Sequence, residues 1–264
     1  MQRPGIFVDS TGKVLAWSLP GILSGARQVR ATPYSYRAGT VAKRSRASGS
    51  KGKGSKPMVQ WRTAPTFYQP GRKWPAGSWL ATPGGYAVGH KTADYSPKPS
   101  ASMRRVGSIA WCRDMRETSA LFSAILRVAH PELYSAGRSS LLELSALERA
   151  EDPLPFWPSI FNTVQLLSNR ESPFHRDTAG QPSWYDLLVT LGNYRRAELV
   201  LRNLGVQVAY KPGTIALLSS LVIHHGVRAV EPDRLCYSWF MSEALHKNLG
   251  VPTVPWMSLD VHQF

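Results

Sequence analysis

The spacing of apolar residues divides the chain into a helical middle and a β-rich second half. Residues 116–128 predict a helix because five apolar side chains recur on one helical face, and leucines in residues 139–149 predict a second helix. After residue 160 the pattern changes to short apolar runs separated by turn residues, which is typical of strands. The predicted strands cover residues 161–168, 184–191, 197–201, 206–210, 214–218, 221–224 and 235–241.

The first hundred residues show weaker patterns. Residues 6–23 alternate enough to predict two short strands around a turn at Thr11-Gly12. Residues 37–57 contain mainly Lys, Arg, Ser, Gly and Ala, so we expect a flexible basic loop there. Residues 58–99 are rich in Pro, Gly and Trp, which predicts an irregular segment that wraps a core.

The order of these elements indicates an α+β protein. We expect N-terminal helices that flank a predominantly antiparallel core, arranged as a jelly-roll double sheet. A length of 264 residues suits one sizeable domain with an additional arm. We therefore divide the chain into residues 1–57, a basic N-terminal arm with a short ordered hairpin and a flexible loop, and residues 58–264, the main domain.

Basic charge is concentrated in the first part of the chain. The chain has 32 Lys and Arg against 17 Asp and Glu, for a formal net charge of +15. Residues 1–93 hold fifteen of the basic residues and a single acid, Asp9, so they carry +14, and the other 171 residues carry +1. We interpret this region as an arm that contacts nucleic acid phosphates. The alternative is a solvated tail that aids solubility or nuclear import.

The cysteine content and the apolar runs bear on the cell compartment. Two cysteines, Cys112 and Cys236, are too few for a disulfide framework and fit a reducing compartment. Polar residues interrupt the first 25 positions, and no apolar run approaches the length of about 18 residues needed to span a membrane. We expect an intracellular protein with no membrane association and no obligate protein partner.

One cluster of residues is typical of a metal site. His175-Arg176-Asp177 is followed 48 residues after Asp177 by His225. Two imidazoles and one carboxylate on one face of a metal form the triad of non-haem Fe(II) oxygenases. In an extended segment residues two apart point to the same side, so His175 and Asp177 can reach one ion. The alternatives are a solvated ion pair in a loop and a histidine with an ordinary packing role.

Two further positions belong with this cluster. Arg234 begins an apolar run nine residues after His225, and its forked, permanent charge suits the far carboxylate of a keto acid such as 2-oxoglutarate. His224 directly precedes His225, and strand alternation allows only one of the two to face a metal. Spacing alone does not decide between them.

Several motifs, in order along the chain, resemble the fungal TET/JBP-like family of 2-oxoglutarate/Fe(II)-dependent dioxygenases. The resemblance covers most of residues 58–264 and part of the first 25. The motifs are Asn169-Arg170, His175-Arg176-Asp177, Trp184-Tyr185-Asp186-Leu187, Leu191-Gly192-x-Tyr194, Tyr210-x-Pro212-Gly213-Thr214, His225-Gly226-Val227 and Arg234.

The resemblance implies a double-stranded β-helix dioxygenase domain over residues 58–264 that uses Fe(II), 2-oxoglutarate and O2. It also implies that His175, Asp177 and His225 bind the iron and, with Arg234, form the catalytic site.

The resemblance further implies a ligand preference and a cosubstrate contact. His225 is favoured over His224 because it directly precedes Gly226-Val227. Arg234 would bind 2-oxoglutarate. Asn169 is a candidate second contact to this cosubstrate, and a turn-forming role is equally compatible with its position.

By analogy with the oxidation of 5-methylcytosine, the resemblance implies a methylated nucleobase as substrate, with methylated DNA as the partner and DNA demethylation in the nucleus as the role. A stacked base cannot reach such an iron, so it must be flipped out or single-stranded. Aromatic residues of the wrapping segment could stack on the base or pack in the core: Trp61, Phe67, Tyr68, Trp74 and Trp79. The alternatives are a hydroxylase of a protein or small molecule and a catalytically degenerate nucleic-acid-binding protein.

Overall fold

The structure is a computed structural model that describes residues 3–31, 61–62, 64–86, 96–147, 149 and 152–259. The predicted flexible loop at residues 37–57, and with it the boundary between arm and main domain, lies outside the described residues. Both stay predictions.

The described part of the chain contains more strands than helices. They are β1 (Gly5–Val8), β2 (Val14–Leu19), β3 (Gly77–Ala81), β4 (Thr163–Ser168), β5 (Ser172–His175), β6 (Asp186–Gly192), β7 (Glu198–Leu201), β8 (Val206–Ala209), β9 (Ile215–Leu218), β10 (His225–Arg228) and β11 (Arg234–Phe240). The α-helices are α1 (Gly25–Arg30), α2 (Ser108–Ala129), α3 (Pro131–Ala146) and α4 (Glu243–Asn248). None of these helices is long and apolar enough to cross a bilayer.

Two antiparallel sheets form the β core. The larger sheet has the strand order β1-β2-β9-β6-β11-β4-β3, and the smaller has the order β5-β10-β7-β8. Neighbouring strands in both sheets run antiparallel. This mostly antiparallel arrangement with few helices is consistent with the expected jelly roll.

The two long helices lie in the middle of the chain, so the expectation of N-terminal helices is not supported. Strands β1, β2 and β3 all precede α2. Strand β3 was not predicted, because the Pro, Gly and Trp residues around it are typical of an irregular segment. Each residue of β3 nevertheless pairs with β4. The predicted hairpin is present as β1 and β2, and β2 pairs with β9, so residues 5–19 belong to the same sheet as the later strands.

Most predicted strands agree with the structure within a few residues, but the one at residues 221–224 is wrong. The backbone N–H groups of Val222 and Ile223 both donate to the carbonyl of Ser219, which closes a turn. The strand begins only at His225. The second helix also starts earlier than predicted, because the His130 ring caps it by accepting from the Leu133 N–H and Pro131 occupies its first turn.

The central strand β11 has two faces, since side chains alternate along a strand. Leu235, Tyr237 and Trp239 face α2 and α3 and join the larger hydrophobic cluster. Cys236 faces the smaller sheet and joins a second cluster between the two sheets. The polar side chains on this second face line the cavities described below.

Aromatic rings dominate the contact between helices and sheet. Trp111 on α2 stacks on Trp239 at 6.2 Å between ring centroids and meets Trp79 of β3 edge to face at 4.8 Å. The Trp111 indole N–H donates to the Tyr237 hydroxyl at 3.4 Å. These rings fix the helical layer on the outer face of the larger sheet.

Truncation of Trp239 should therefore destabilise the fold strongly. Trp239→Ala removes a fully buried indole from the middle of this cluster and should lower the free energy of unfolding by about 3–5 kcal/mol in urea denaturation. The matched control is Val128→Ala on α2, whose side chain is 76% exposed and should change that free energy by less than about 0.5 kcal/mol. Equal effects of the two substitutions would contradict the packing.

Candidate metal centre and adjoining cavities

Pairing between two short strands brings the predicted metal ligands together. His225 of β10 lies directly opposite His175 of β5, and the imidazole centroids are 4.3 Å apart. Asp177 follows β5 and is held by a backbone hydrogen bond from its N–H to the Ser220 carbonyl at 3.0 Å. One side-chain ligand atom from each of His175, Asp177 and His225 lies within 4.8 Å of the other two.

Local hydrogen bonds orient both imidazoles toward one point. Nδ1 of His175 lies 2.8 Å from the Pro173 carbonyl, and Nδ1 of His225 lies 2.8 Å from the Ile223 carbonyl. A carbonyl oxygen can only accept, so both Nδ1 atoms carry the proton and both Nε2 atoms present a lone pair. This is how metal-binding histidines are held, and the donor set fits a divalent iron.

Burial keeps both imidazoles neutral. It lowers the pKa of His175 to about 4, and the nearby His225 lowers it further in the same direction. Burial also lowers the pKa of His225. Neutral imidazoles do not need to lose a proton before they bind a metal at neutral pH.

The structure distinguishes the two adjacent histidines. His225 is buried and faces the triad, whereas His224 lies on the other face of the chain and packs against Phe174 at 5.8 Å between ring centroids. The backbone of His224 is engaged as well, since its N–H donates to Asn203 and its carbonyl accepts from Arg202. His224 is therefore a packing residue of the loop before β10.

Two residues that precede β3 in the chain, Trp61 and Arg62, cover the triad. The Arg62 guanidinium contacts the Asp177 carboxylate at 2.6 Å between Nη2 and Oδ1. The Trp61 ring packs on the His175 imidazole at 4.4 Å, and Arg62 lies over the Trp61 ring at 4.5 Å. Trp61 was a candidate for base stacking, but nothing in the sequence pointed to Arg62.

Arg234 lies in the buried space next to the triad. Its side chain is 2% exposed, its Nε donates to the Thr190 hydroxyl at 3.0 Å, and its guanidinium lies over the Tyr210 ring at 4.9 Å. Nη1 donates to the Arg170 carbonyl at 3.3 Å, while the buried Nη2 has no hydrogen-bond partner among the described residues.

A second buried guanidinium lies nearby. Arg170 packs over Trp61 at 5.2 Å, and its buried Nη1 also has no hydrogen-bond partner among the described residues. Burial lowers the pKa of Arg170, which reflects the cost of keeping this cation out of water. Two unpartnered guanidinium donors in one buried space fit an anionic ligand with carboxylates, such as 2-oxoglutarate. Arg170 stood in a motif of the sequence, but no role was assigned to it.

Asn169 stabilises the backbone around Arg234. Its Oδ1 accepts from the Arg234 N–H at 2.8 Å, and its Nδ2 donates to the Trp74 carbonyl at 2.8 Å. Opposite Arg234 lies Gly192, with a φ of 130°, where any Cβ would collide with the Asp233 carbonyl. Both amide atoms of Asn169 are thus used within the protein, and its direct contact with a cosubstrate stays a prediction.

Two adjoining cavities meet at the triad. The inner cavity, of about 70 Å³, is lined by both histidines, Arg170 and Arg234. The outer cavity, of about 320 Å³, opens beside Asp177. Its volume is within the range of about 300–1,000 Å³ that small-molecule sites occupy. Residues shared by the two linings are Arg62, Gln165, Asp177, Asp186, Ser220 and Ser238.

The five aromatic residues that were candidates for stacking on the base lie in different surroundings. Trp74 is buried in the larger hydrophobic cluster, and Trp79 packs against that cluster, so both serve the core. The Phe67 ring meets the Trp61 ring in a T-shaped pair, and the Tyr68 hydroxyl donates to the Arg62 carbonyl at 2.8 Å. Of the five, only Trp61 contacts a residue of the triad within the described structure.

Comparison with known proteins identifies relatives of this arrangement. Residues 85–243 match Tet_JBP, the family described as the oxygenase domain of the 2OGFeDO superfamily. The chain is similar to the solved structure of NgTET1 in complex with 5mC DNA, with 12% identity and a TM-score of 0.53 over 90% of this chain and 76% of that chain. This similarity concerns the fold.

A second solved structure is more distant. It is a 2OG-Fe(II) oxygenase family protein from Caulobacter crescentus, with 14% identity and a TM-score of 0.35 over 83% of this chain and 75% of that chain. At that TM-score it does not inform the fold. No curated protein matches the chain in sequence.

The geometry predicts opposite results for the two adjacent histidines. His225→Ala should abolish the visible charge-transfer band that Fe(II) and 2-oxoglutarate produce together without oxygen, because one of three ligands is removed. His224→Ala, the matched control, should keep the band, since this ring packs on Phe174. Anaerobic absorption titrations measure both variants, and a band that disappears only in His224→Ala would contradict the assignment.

Proposed function

We propose that this chain, which belongs to the Tet_JBP family of oxygenase domains in the 2OGFeDO superfamily, oxidises a methylated nucleobase in nucleic acid. It is a 2-oxoglutarate/Fe(II)-dependent dioxygenase, and its superfamily uses Fe(II), 2-oxoglutarate and O2. The observation that carries the proposal is the His175, Asp177 and His225 triad between a cationic inner cavity and an outer cavity large enough for a small planar substrate.

His175, Asp177 and His225 would hold the iron through two Nε2 atoms and one carboxylate oxygen, which leaves further coordination positions open. The bound iron supplies dioxygen activation coupled to decarboxylation of 2-oxoglutarate to succinate. The Arg62 guanidinium forms an ion pair with Oδ1 of Asp177. This ion pair would restrict rotation of the carboxylate. The protein therefore supplies ligand orientation and a site shielded from bulk water.

Arg234 would bind the far carboxylate of 2-oxoglutarate. Its Nη2 is the unpartnered donor in the inner cavity, and Thr190 and Tyr210 fix the plane of the guanidinium. A buried cation without a counter-ion is costly, so an anion bound at this point would offset that cost. Arg170 would add a second positive charge to the same cavity.

The outer cavity is the proposed position of the substrate base. A base in duplex DNA cannot reach a buried iron while it is stacked, so it would be flipped into this cavity. The fold shared with NgTET1, whose structure contains 5mC DNA, supports a methylated cytosine in DNA as the substrate. Trp61, which packs on His175, would stack on the base. The fungal branch of the family, a nuclear location and a role in DNA demethylation stay predictions.

The basic residues of the first 93 positions would bind the nucleic acid backbone. Lys and Arg near phosphates provide affinity that depends on salt and not on sequence. Such affinity suits an enzyme whose selectivity lies in a base pocket. The acid-poor segment at residues 37–56 contains seven basic side chains and is the main candidate for this role.

Turnover of methylated DNA tests the proposal directly. Protein with Fe(II), ascorbate and 2-oxoglutarate should form succinate and an oxidised methyl group when DNA containing 5-methylcytosine is added, as followed by mass spectrometry. His175→Ala and Asp177→Ala should abolish this turnover because each removes a ligand. The control is Asp114→Ala, which removes an exposed carboxylate on α2. Wild-type succinate production by both triad variants would refute the site, and turnover on peptides alone would refute the substrate.

The basic segment should control the salt dependence of DNA binding. Replacing the seven Lys and Arg of residues 37–56 by Ser should weaken binding. The negative slope of log K against log salt should become shallower by about 0.9 for each phosphate that these side chains no longer neutralise. Fluorescence anisotropy at several salt concentrations measures this slope. The control changes Arg113 and Arg116, exposed on α2, to Ser. An unchanged slope in the variant of residues 37–56 would exclude the segment from the interface.

A further inference from the structure

The two cysteines of the chain lie in different surroundings. Cys112 of α2 is fully buried in the larger hydrophobic cluster, where burial raises the pKa of its thiol to about 12. Cys236 of β11 faces the smaller sheet and lines the inner cavity beside the triad. Both thiols are free, and they lie on opposite faces of the larger sheet. The proposed function uses neither of them.

The wall of the inner cavity around Cys236 is polar and cationic. Side chains alternate along β11, so Cys236 shares one face of the strand with Arg234. Its Sγ lies 3.6 Å from the Tyr210 hydroxyl. Arg234 and Arg170 line the same cavity, and a charge on the sulfur would interact with both guanidinium groups. A neighbouring cation favours the thiolate, which is the reactive form of cysteine.

Two buried donors in this cavity point to a ligand with acceptor oxygens, independently of the thiol. Nη2 of Arg234 and Nη1 of Arg170 have no hydrogen-bond partner among the described residues, although these residues are only 2% and 7% exposed. The cavity volume of about 70 Å³ is enough for a molecule the size of water or hydrogen peroxide. A small oxidant can therefore enter the space that Cys236 lines.

We propose that Cys236 is a site of reversible oxidation, at which hydrogen peroxide converts the thiol to a sulfenic acid that prevents 2-oxoglutarate from binding in the inner cavity. The oxidation itself depends only on Cys236 and its surroundings. Its effect on the cosubstrate rests on the proposed function, which places the far carboxylate of 2-oxoglutarate at Arg234. Oxidising conditions would then stop turnover, and a thiol reductant would restore it.

The oxidation step balances with peroxide as the oxidant. The Cys236 sulfur attacks one peroxide oxygen, so an S–O bond forms while the O–O bond breaks. The departing oxygen takes the thiol proton and leaves as water, and the sulfur gives up two electrons to peroxide. Two molecules of a small thiol reverse the step. The first forms a mixed disulfide with Cys236 and releases water, and the second restores the Cys236 thiol and leaves as a disulfide.

Oxidation and cosubstrate binding should exclude each other. The added oxygen takes up part of a cavity of only about 70 Å³. It can also accept from the guanidinium donors that Arg234 and Arg170 otherwise offer to a carboxylate. Bound 2-oxoglutarate should in turn shield the sulfur from peroxide, because both need the same space.

Chemical labelling of the iron-free full-length protein tests the oxidation. The protein is treated with hydrogen peroxide, the excess is removed with catalase, and the chain is unfolded in dimedone, which reacts with sulfenic acids. Mass spectrometry of the labelled peptides should show at least about 10-fold more label on Cys236 than on Cys112, whose raised pKa leaves almost no thiolate near neutral pH. Saturating 2-oxoglutarate with Zn(II), a redox-inactive substitute for iron, should lower the label on Cys236 relative to Zn(II) alone.

Spectroscopy tests the effect on the cosubstrate. After peroxide treatment and its removal, the wild-type protein should lose most of the anaerobic Fe(II) and 2-oxoglutarate band, and dithiothreitol should restore it. In Cys236→Ser the same treatment should leave that variant's own band unchanged. The matched control is Cys112→Ala, whose band should fall with peroxide as in the wild type, because the Cys112 thiol lies outside the cavity.

Each outcome bears on one of the two proposals. Absence of label on Cys236, equal label on both cysteines, or a Cys236→Ser band that falls as in the wild type would overturn the role of Cys236. In a protein that forms the band, label that 2-oxoglutarate does not reduce would also overturn it, because thiol and cosubstrate would not share the cavity. A wild-type protein without the band even before oxidation would instead refute the proposed cosubstrate site, and the label on Cys236 would still decide the oxidation.

Discussion

The alternation of side chains along β11 ties the core of this protein to its candidate site. Leu235, Tyr237 and Trp239 face the helical layer and are buried among its aromatic rings. Arg234 and Ser238 alternate with them and face the cavities. A shift of this strand by one residue would place the charged and polar side chains in the apolar layer. The packing of the rings on the outer face therefore fixes the position of the cationic residue on the inner face.

The two cavities present different polar groups around one triad. Arg234 and Arg170 place two buried guanidinium groups at the inner end, which suits an anionic cosubstrate. Asp186, whose carboxyl has its pKa raised to about 8 by burial, lies where the inner and outer cavities meet. Because both buried guanidinium groups line the inner cavity alone, the anionic cosubstrate would occupy that cavity and leave the outer one to the substrate.

The sequence predicted much of the β core and the triad but not the surroundings of the triad. The apolar runs located most strands because their residues are buried on at least one face, and the spacing of His175, Asp177 and His225 indicated one ion. Strand β3 was missed because its composition resembles that of a loop, and its pairing with β4 is a long-range interaction. Arg62 was missed because its partner, Asp177, lies 115 positions away.

The sequence by itself determined local properties. These are the types of metal-ligating side chain, the spacings between them along the chain, the alternation of apolar and polar residues within strands, and the concentration of basic residues before residue 94. Only the tertiary structure shows that His225, and not His224, lies beside His175 and Asp177, because this depends on which ring faces β5. It also decided that Asn169 clamps the backbone of Arg234 and that Asp186 lines the outer cavity. These properties arise from contacts between distant strands, and sequence spacing carries no information about such contacts.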